Sequence, residues 1–368
     1  MKRVMVLMLV LLILMTALPP AARSESAGAD LAPRIEEIMG VRSRWLLTAQ
    51  TPPPIEDDYV AGLSTAQWAL THEKGKIRYM KMWAENRAVK FVEAQSTMKV
   101  RYLSGGADRA RFFVAQSMML GYTYPDEPAV NRFGVGTRHI IELRRQGEKW
   151  LIAMEWYLDP LGDDTEVPDV TPALLPSPPL APVQDPASIP ALPVLTLWSH
   201  GPLAANGYDR VGAVAYADTY CGLAWGCGNA NRYNSKFRDY NGVGGDCTNY
   251  VAQALQQGGK LGVPIITRVD GLASHLQHSG RATVLAREPF QKIWKRGAAS
   301  QDGLAGLLKS GDLVAYQEKG KLEHFAIITA FDSHGYPMVN SHTADRYHVP
   351  FDLGWDKKTV YWLLKMRD

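Results

Sequence analysis

Cysteine is scarce, with three in 368 residues. That is too few for a disulfide-built mini-fold, and an odd number leaves at least one thiol unpaired within the chain. Charge of one sign is scarce as well. The formal net charge of +3 falls to near zero once Lys2, Arg3 and Arg23 leave with the N-terminal leader described below. This excludes the basic stripe of a nucleic-acid or other polyanion binder. Beyond residue 18 there is no apolar run long enough to cross a bilayer. HExxH, GxSxG, Walker A and CxxC are all missing, so zinc peptidase, elbow-type serine hydrolase, nucleotidase and dithiol redox chemistry lack their residues. His275 and His278 (HLQH) have no third ligand nearby and read as solvated surface, and the Asn and Gly residues of 239–246 read as a turn. No metal and no cofactor is expected.

What is present is ordinary globular material: 46% hydrophobic and 21% charged residues, enough to bury a core. At roughly 100–200 residues per domain the length suggests two domains. Met1-Lys2-Arg3, the apolar run 4–18 and the Pro19-Pro20 break, followed by small residues at Ala22, Ser24 and Ala27, have the order of a secretory signal over residues 1–24. The apolar run is shorter than the ~20 residues of a spanning helix. A secreted, extracytoplasmic protein with no stable membrane insertion after cleavage is expected. Residues 161–195 hold nine of the 23 prolines, a composition that favours extended linker geometry. They divide an N-terminal domain, 30–160, from a second domain, 196–368.

In the first segment Ser64-Thr65 can cap a helix, and Ile77, Met80, Ala84 and Ala88 fall on one helical face. Strand-like stretches follow around Met98–Tyr102, ARFFVAQSMML, HIIEL and WLIAMEWYL, the last two joined by a Gln146-Gly147 turn. One helix region before a meander of strands reads as α+β, in an order that resembles the nuclear-transport-factor or cystatin-like cones. Arg78, Lys81, Glu85 and Arg87 read as a solvated helix face. Trp83, Trp150 and Trp156 read as core.

The chemistry lies in the second segment. In GVGGDCTNYVAQALQQGG (242–259) a glycine-rich turn and Asp246, read as a cap, precede Cys247 in the first turn of a helix. Helix-end N–H groups and the dipole favour a thiolate there. Tyr250, Val251, Ala254 and Leu255 form the stripe that buries this helix. Cys221 and Cys227 can pair across a short loop in an oxidising compartment, leaving Cys247 free. A cysteine nucleophile needs a base and an orienting group. His324 opens the strand LEHFAIITAF on a face with Ala326 and Ile328. A three-residue loop centred on Ser333 would set it opposite His342, with Asn340 diagonal; His342 is the preferred orienter and Asn340 the alternative. The Cys247 N–H is the natural oxyanion donor, with Asn231 or Tyr233 as side-chain candidates.

Tyr208-Asp209-Arg210, Ala213, Tyr216, Ala217, Asn231, Phe237, GGDCTNYVAQALQQGG, HFAIIT and SHTADR resemble the amidase domain of exported bacterial proteins, over about residues 205–365. The order of these parts is also that of papain-like NlpC-type and CHAP cell-wall hydrolases. The family often has Phe and Ser where Tyr250 and Ala252 stand here. The resemblance implies a papain-like fold and a Cys-His-polar centre on Cys247, His324 and His342. The expectation is therefore an α+β protein whose second domain is a papain-like cysteine amidase or peptidase, with a peptidoglycan or peptide substrate. A peptidase or acyl-transfer enzyme acting on protein and a non-catalytic wall-binding module are the competing readings.

Overall fold

The computed structural model describes residues 31–47, 55–161, 207–298 and 303–368. The leader 1–24 lies outside the described residues, as do linker residues 162–195. Among those described, no helix is long and apolar enough to cross a membrane.

The first segment opens with helix α1 (Ala32–Arg44) and helix α2 (Ser64–Asn86). The expected face of α2 is buried at Ile77, Met80 and Ala84. Ala88 falls beyond the helix in a left-handed conformation (φ 51°), where it turns the chain into a strand. Thr65 is not a cap, since its hydroxyl donates to the Ala153 carbonyl at 2.6 Å. Four antiparallel strands follow: β1 (Lys90–Gly105), β2 (Arg109–Tyr124), β3 (Glu127–Gln146) and β4 (Lys149–Trp156). The helices bury their apolar faces on this sheet in a cluster that includes Ile35, Ile38, Ala69, Phe112, Val114 and Ile141.

The second segment contributes α3 (Arg210–Thr219), α4 (Asp246–Gln253), α5 (Val269–His278), β5 (Ala282–Pro289), α6 (Phe290–Ala298), β6 (Leu313–Glu318), β7 (Lys321–Phe331), β8 (Pro337–Ser341), β9 (Asp345–Pro350) and β10 (Val360–Met366). Strand alternation sends Leu313, Ala315, Phe325 and Ile327 to the face covered by α3, α4 and α5. Val314, Tyr316, Ala326 and Ile328 go to the opposite face.

The first segment, expected as a domain of its own, shares both a sheet and a core with the second. One ten-stranded sheet runs β1-β2-β3-β9-β8-β7-β6-β10-β5, with β4 on β3. The two segments join where Gly134, Val135 and Gly136 pair with Tyr347, Arg346 and Asp345. Glycine makes the junction possible. A Cβ on Gly134 would lie 2.0 Å from the Trp225 carbonyl oxygen, and one on Gly136 2.5 Å from Leu223. Phe91, Tyr122, Phe133 and Val135 pack with Met338, Val349 and Leu353 in one cluster.

Polar contacts at the junction correct two expectations. Arg87 is not on a solvated face but buried, paired with Asp352, which also accepts from Trp83 Nε1 at 3.1 Å. Trp156 is not core but 46% exposed, because it lies on the outward face at the end of β4.

Candidate active site

Helix α4 is buried along its whole length, from Asp246 to Gln253. The preceding residue, Gly245, has φ 95° and no room for a side chain, since a Cβ would sit 2.5 Å from the Thr267 carbonyl oxygen. The glycine turn thus lets the chain enter the helix at close approach to its neighbour. Residues around it fix the scaffold. Asp209 caps α3 by accepting from Gly212 N at 2.8 Å, Arg210 pairs with Asp312 at 2.8 Å, and Tyr216 donates to Gln253 Oε1 at 2.8 Å. Tyr250 donates to the Ala217 carbonyl at 2.7 Å.

Cys247 lies in the first turn of α4 and is 3% exposed. The Thr248 hydroxyl lies 3.7 Å from its sulfur, and the backbone N–H groups of Phe325 and Thr248 favour negative charge on it. Burial nevertheless outweighs these donors and pushes the thiol up from its ordinary value. Desolvation of the charged form thus opposes the thiolate expected from the helix terminus. At rest Cys247 is a neutral thiol.

Asp246 does more than cap. Its Oδ1 accepts from Tyr240 N at 2.9 Å and Asn249 Nδ2 at 3.0 Å. Its Oδ2 lies 2.8 Å from His342 Nδ1. Burial opposes ionisation of Asp246, but His342 and the N–H donors prevail and hold its carboxyl below the usual range. The other ring nitrogen, His342 Nε2, is 2.6 Å from the Tyr220 carbonyl oxygen. Both nitrogens therefore face oxygens, one of the Asp246 carboxylate and one of the Tyr220 carbonyl. The imidazole is clamped between the rings of Tyr250 and Tyr233, with centroids 4.0 and 4.1 Å away.

His324 occupies the other face of β7. It pairs directly with Tyr316 of β6, and its ring lies against Tyr316 and Trp355. Its Nε2 is buried with no hydrogen-bond partner. Burial, then the charges of Arg346 and His342, lower its pKa to about 3, so at neutral pH it is an uncharged imidazole.

The structure therefore brings Cys247 to the N–H of the residue after His324, and His342 to Asp246. Among the described residues no hydrogen bond joins Cys247 to either histidine, and neither His342 nor Asn340 bonds to His324. The register explains this. Ile327 faces Asn340 and Ile328 faces Val339, one position off the alignment that would set His324 opposite His342, and His342 itself lies in the turn after β8.

Asn340 is fully engaged. It accepts from Thr329 Oγ1 at 2.8 Å and His348 N at 2.7 Å and donates to Asp218 at 2.8 Å. The two oxyanion candidates are occupied too. Asn231 Nδ2 donates to the carbonyls of Leu223 and Ala224, and Tyr233 donates to Asp345. Cys221 and Cys227, the candidate disulfide, are free thiols, each donating to a backbone carbonyl, of Asp218 and Thr219 respectively.

One contributor escaped the sequence reading because it comes from the first segment. Arg138 of β3 pairs with Asp345 at 2.8 Å. Asp345 in turn accepts from Tyr233 and from Leu223 N, and Tyr233 packs on His342. The only local signal was an arginine within the small and apolar stretch Phe133–Ile141 of β3.

Residues 207–364 match the model of the family described as "Putative amidase domain". That match covers Cys247, His324 and His342, and it points to hydrolysis of an amide bond. No curated protein matches the chain.

Proposed function

We propose that this protein is an exported cysteine amidase or peptidase that cleaves an amide bond of cell-wall peptidoglycan through Cys247. The observation that carries the reading is the placement of the Cys247 sulfur. It sits in the first turn of a buried helix, with backbone N–H groups from two elements converging on it and an unpartnered neutral imidazole on the adjoining residue of β7. Those N–H groups can hold negative charge on sulfur as it develops.

In the proposed reaction Cys247 Sγ attacks the amide carbonyl carbon while His324 Nε2 takes the thiol proton. The two are not hydrogen-bonded at rest and their side chains lie on opposite faces of β7, so the transfer requires substrate binding to turn His324 out of its apolar surroundings, which also restores the basicity that burial removes. The C–N bond then breaks, the leaving amine takes the proton from His324, and the acyl group stays on sulfur as a thioester. Water, deprotonated by His324, attacks the thioester; the C–S bond breaks, the product leaves as the carboxylic acid, and the proton on His324 returns to sulfur. His342 acts here as a positioning residue. Through its 2.8 Å contact with Asp246 it holds the turn that presents Cys247.

The wall substrate is supported by the leader-like N-terminus and by the resemblance of the motif order to cell-wall hydrolases. The test is purified mature protein beside Cys247→Ala, each incubated with peptidoglycan and assayed by mass spectrometry. New fragments from the wild type alone are expected, and their masses name the bond. Release by neither protein would rule out the wall substrate, leaving protein substrates or a binding module.

A further inference from the structure

We propose that the first segment contains a binding site for a small neutral carboxamide, formed by a cavity between α1, α2 and the sheet and separate from Cys247. The cavity has a volume of about 40 Å³ and is partly open to solvent. That is room for about three groups the size of a water molecule, which is the size of one carboxamide group, with a short alkyl chain left to follow the opening. Its apolar wall is made by Ile77 and by Met39, Met80 and Met118, the three methionines being unbranched thioethers that adapt to an alkyl chain. Its polar wall is made by Arg42, Glu73, Lys76, Gln116 and His139.

The polar wall belongs to a buried network that the Cys247 chemistry does not use. Arg42 grips Glu155 with contacts of 3.0 and 2.8 Å and donates to Tyr59 at 2.6 Å. His139 Nδ1 is 2.9 Å from Glu155, and His139 Nε2 is 2.7 Å from Thr137 Oγ1. Lys76 lies 3.0 Å from Glu73 Oε2, and His72 lies 3.1 Å from Asp159. Burying this many ions costs stability that apolar packing would not, and such clusters gather at functional sites.

Two atoms in the network remain unsatisfied, and both belong to residues lining the cavity. Arg42 Nε has a proton to donate and no acceptor. Glu73 Oε2 is held by charge alone, with Lys76 at 3.0 Å and Arg42 Nη1 at 3.8 Å, and receives no hydrogen bond. A ligand that completes this pair must accept one hydrogen bond and donate another from adjacent atoms. A carboxylate has no proton to donate and an ammonium no lone pair to accept with, so neither completes both halves. A carboxamide does both: its C=O accepts from Arg42 and its N–H donates to Glu73.

The test uses full-length mature protein labelled with 13C at the methionine methyls, titrated with propionamide and, in parallel, with propionate, propylammonium and 1-propanol. Saturable shifts of the Met39, Met80 and Met118 signals are expected with propionamide, at a dissociation constant about tenfold or more below those of the other three probes, the worth of one well-made hydrogen bond. Met118→Trp, which fills the cavity from its apolar side and removes none of the ionic groups, should abolish the response while leaving the remaining methionine signals in place. Glu73→Gln should weaken it, provided the variant folds. Three results overturn the proposal: no saturable shift with propionamide, so that the cavity holds water only; equal responses to all four probes; or a propionamide response that survives Met118→Trp. Tightest binding by 1-propanol would overturn the carboxamide assignment.

Discussion

Lowering the pH should weaken the fold through His324 in particular. This imidazole is buried against Tyr316 and Trp355, with Arg346 and His342 adding positive charge around it, and its pKa falls from 6.5 to about 3. The folded value lies below the unfolded one, so as pH falls the unfolded chain takes the proton first. Stability is therefore lost from about pH 6.5 downward and the loss levels off near pH 3. At pH 4 the interval traversed is about 2.5 units, and at about 1.4 kcal/mol per unit His324 alone costs about 3 kcal/mol. The assay is urea unfolding followed by tryptophan fluorescence at pH 7 and pH 4, for the wild type and for His324→Gln, which removes the titrating group. Carboxylates contribute equally to both and cancel in the difference. The wild type should lose about 3 kcal/mol more than the variant between the two pH values. Equal losses would refute the burial and neutrality assigned to His324.

Cys247 should react with iodoacetamide slowly at pH 6 and progressively faster above pH 9, because burial holds the thiol protonated; rapid alkylation at pH 6, scored by peptide mapping, would contradict that. Gly134→Val should destabilise the protein by about 3 kcal/mol, since the added Cβ meets the Trp225 carbonyl oxygen at 2.0 Å, whereas a change within about 0.5 kcal/mol would mean that the two segments do not meet there. Asp246→Asn should cost about 3 kcal/mol in calorimetry by removing a buried carboxylate on which Tyr240 N, Asn249 Nδ2 and His342 Nδ1 converge. A loss of about 1 kcal/mol would instead return Asp246 to the role of a cap.

Local features were legible in the sequence wherever period and punctuation agree. The α2 stripe, the four strands of the first segment, and the entry of Cys247 into a helix behind glycine all follow from patterns within some twenty residues. The Tyr250–Leu255 stripe is likewise buried as its spacing implies. Long-range electrostatics was not legible. His342 finds Asp246, 96 positions away, because a single step in hairpin register and a turn after β8 carry it off the strand on which alternation would have set it against His324. Arg87 looked solvated because its partner Asp352 lies across the segment junction. The thiol of Cys247 was expected to acidify from its helix position alone. Its burial, which reverses the sign, depends on β7, about eighty residues downstream. The shared sheet was hidden for a similar reason, since Gly134 and Gly136 look like ordinary strand glycines until the loop at Leu223–Trp225 is seen resting on them.

The species on which the proposed reaction turns is an acyl group carried by Cys247. The measurement is acid-quenched intact mass spectrometry of mature protein mixed with soluble peptidoglycan stem peptides, followed by peptide mapping of any adduct. The account predicts an added mass equal to the acyl fragment on the peptide containing Cys247, absent from Cys247→Ala. Hydrolysis that persists undiminished in Cys247→Ala would contradict it.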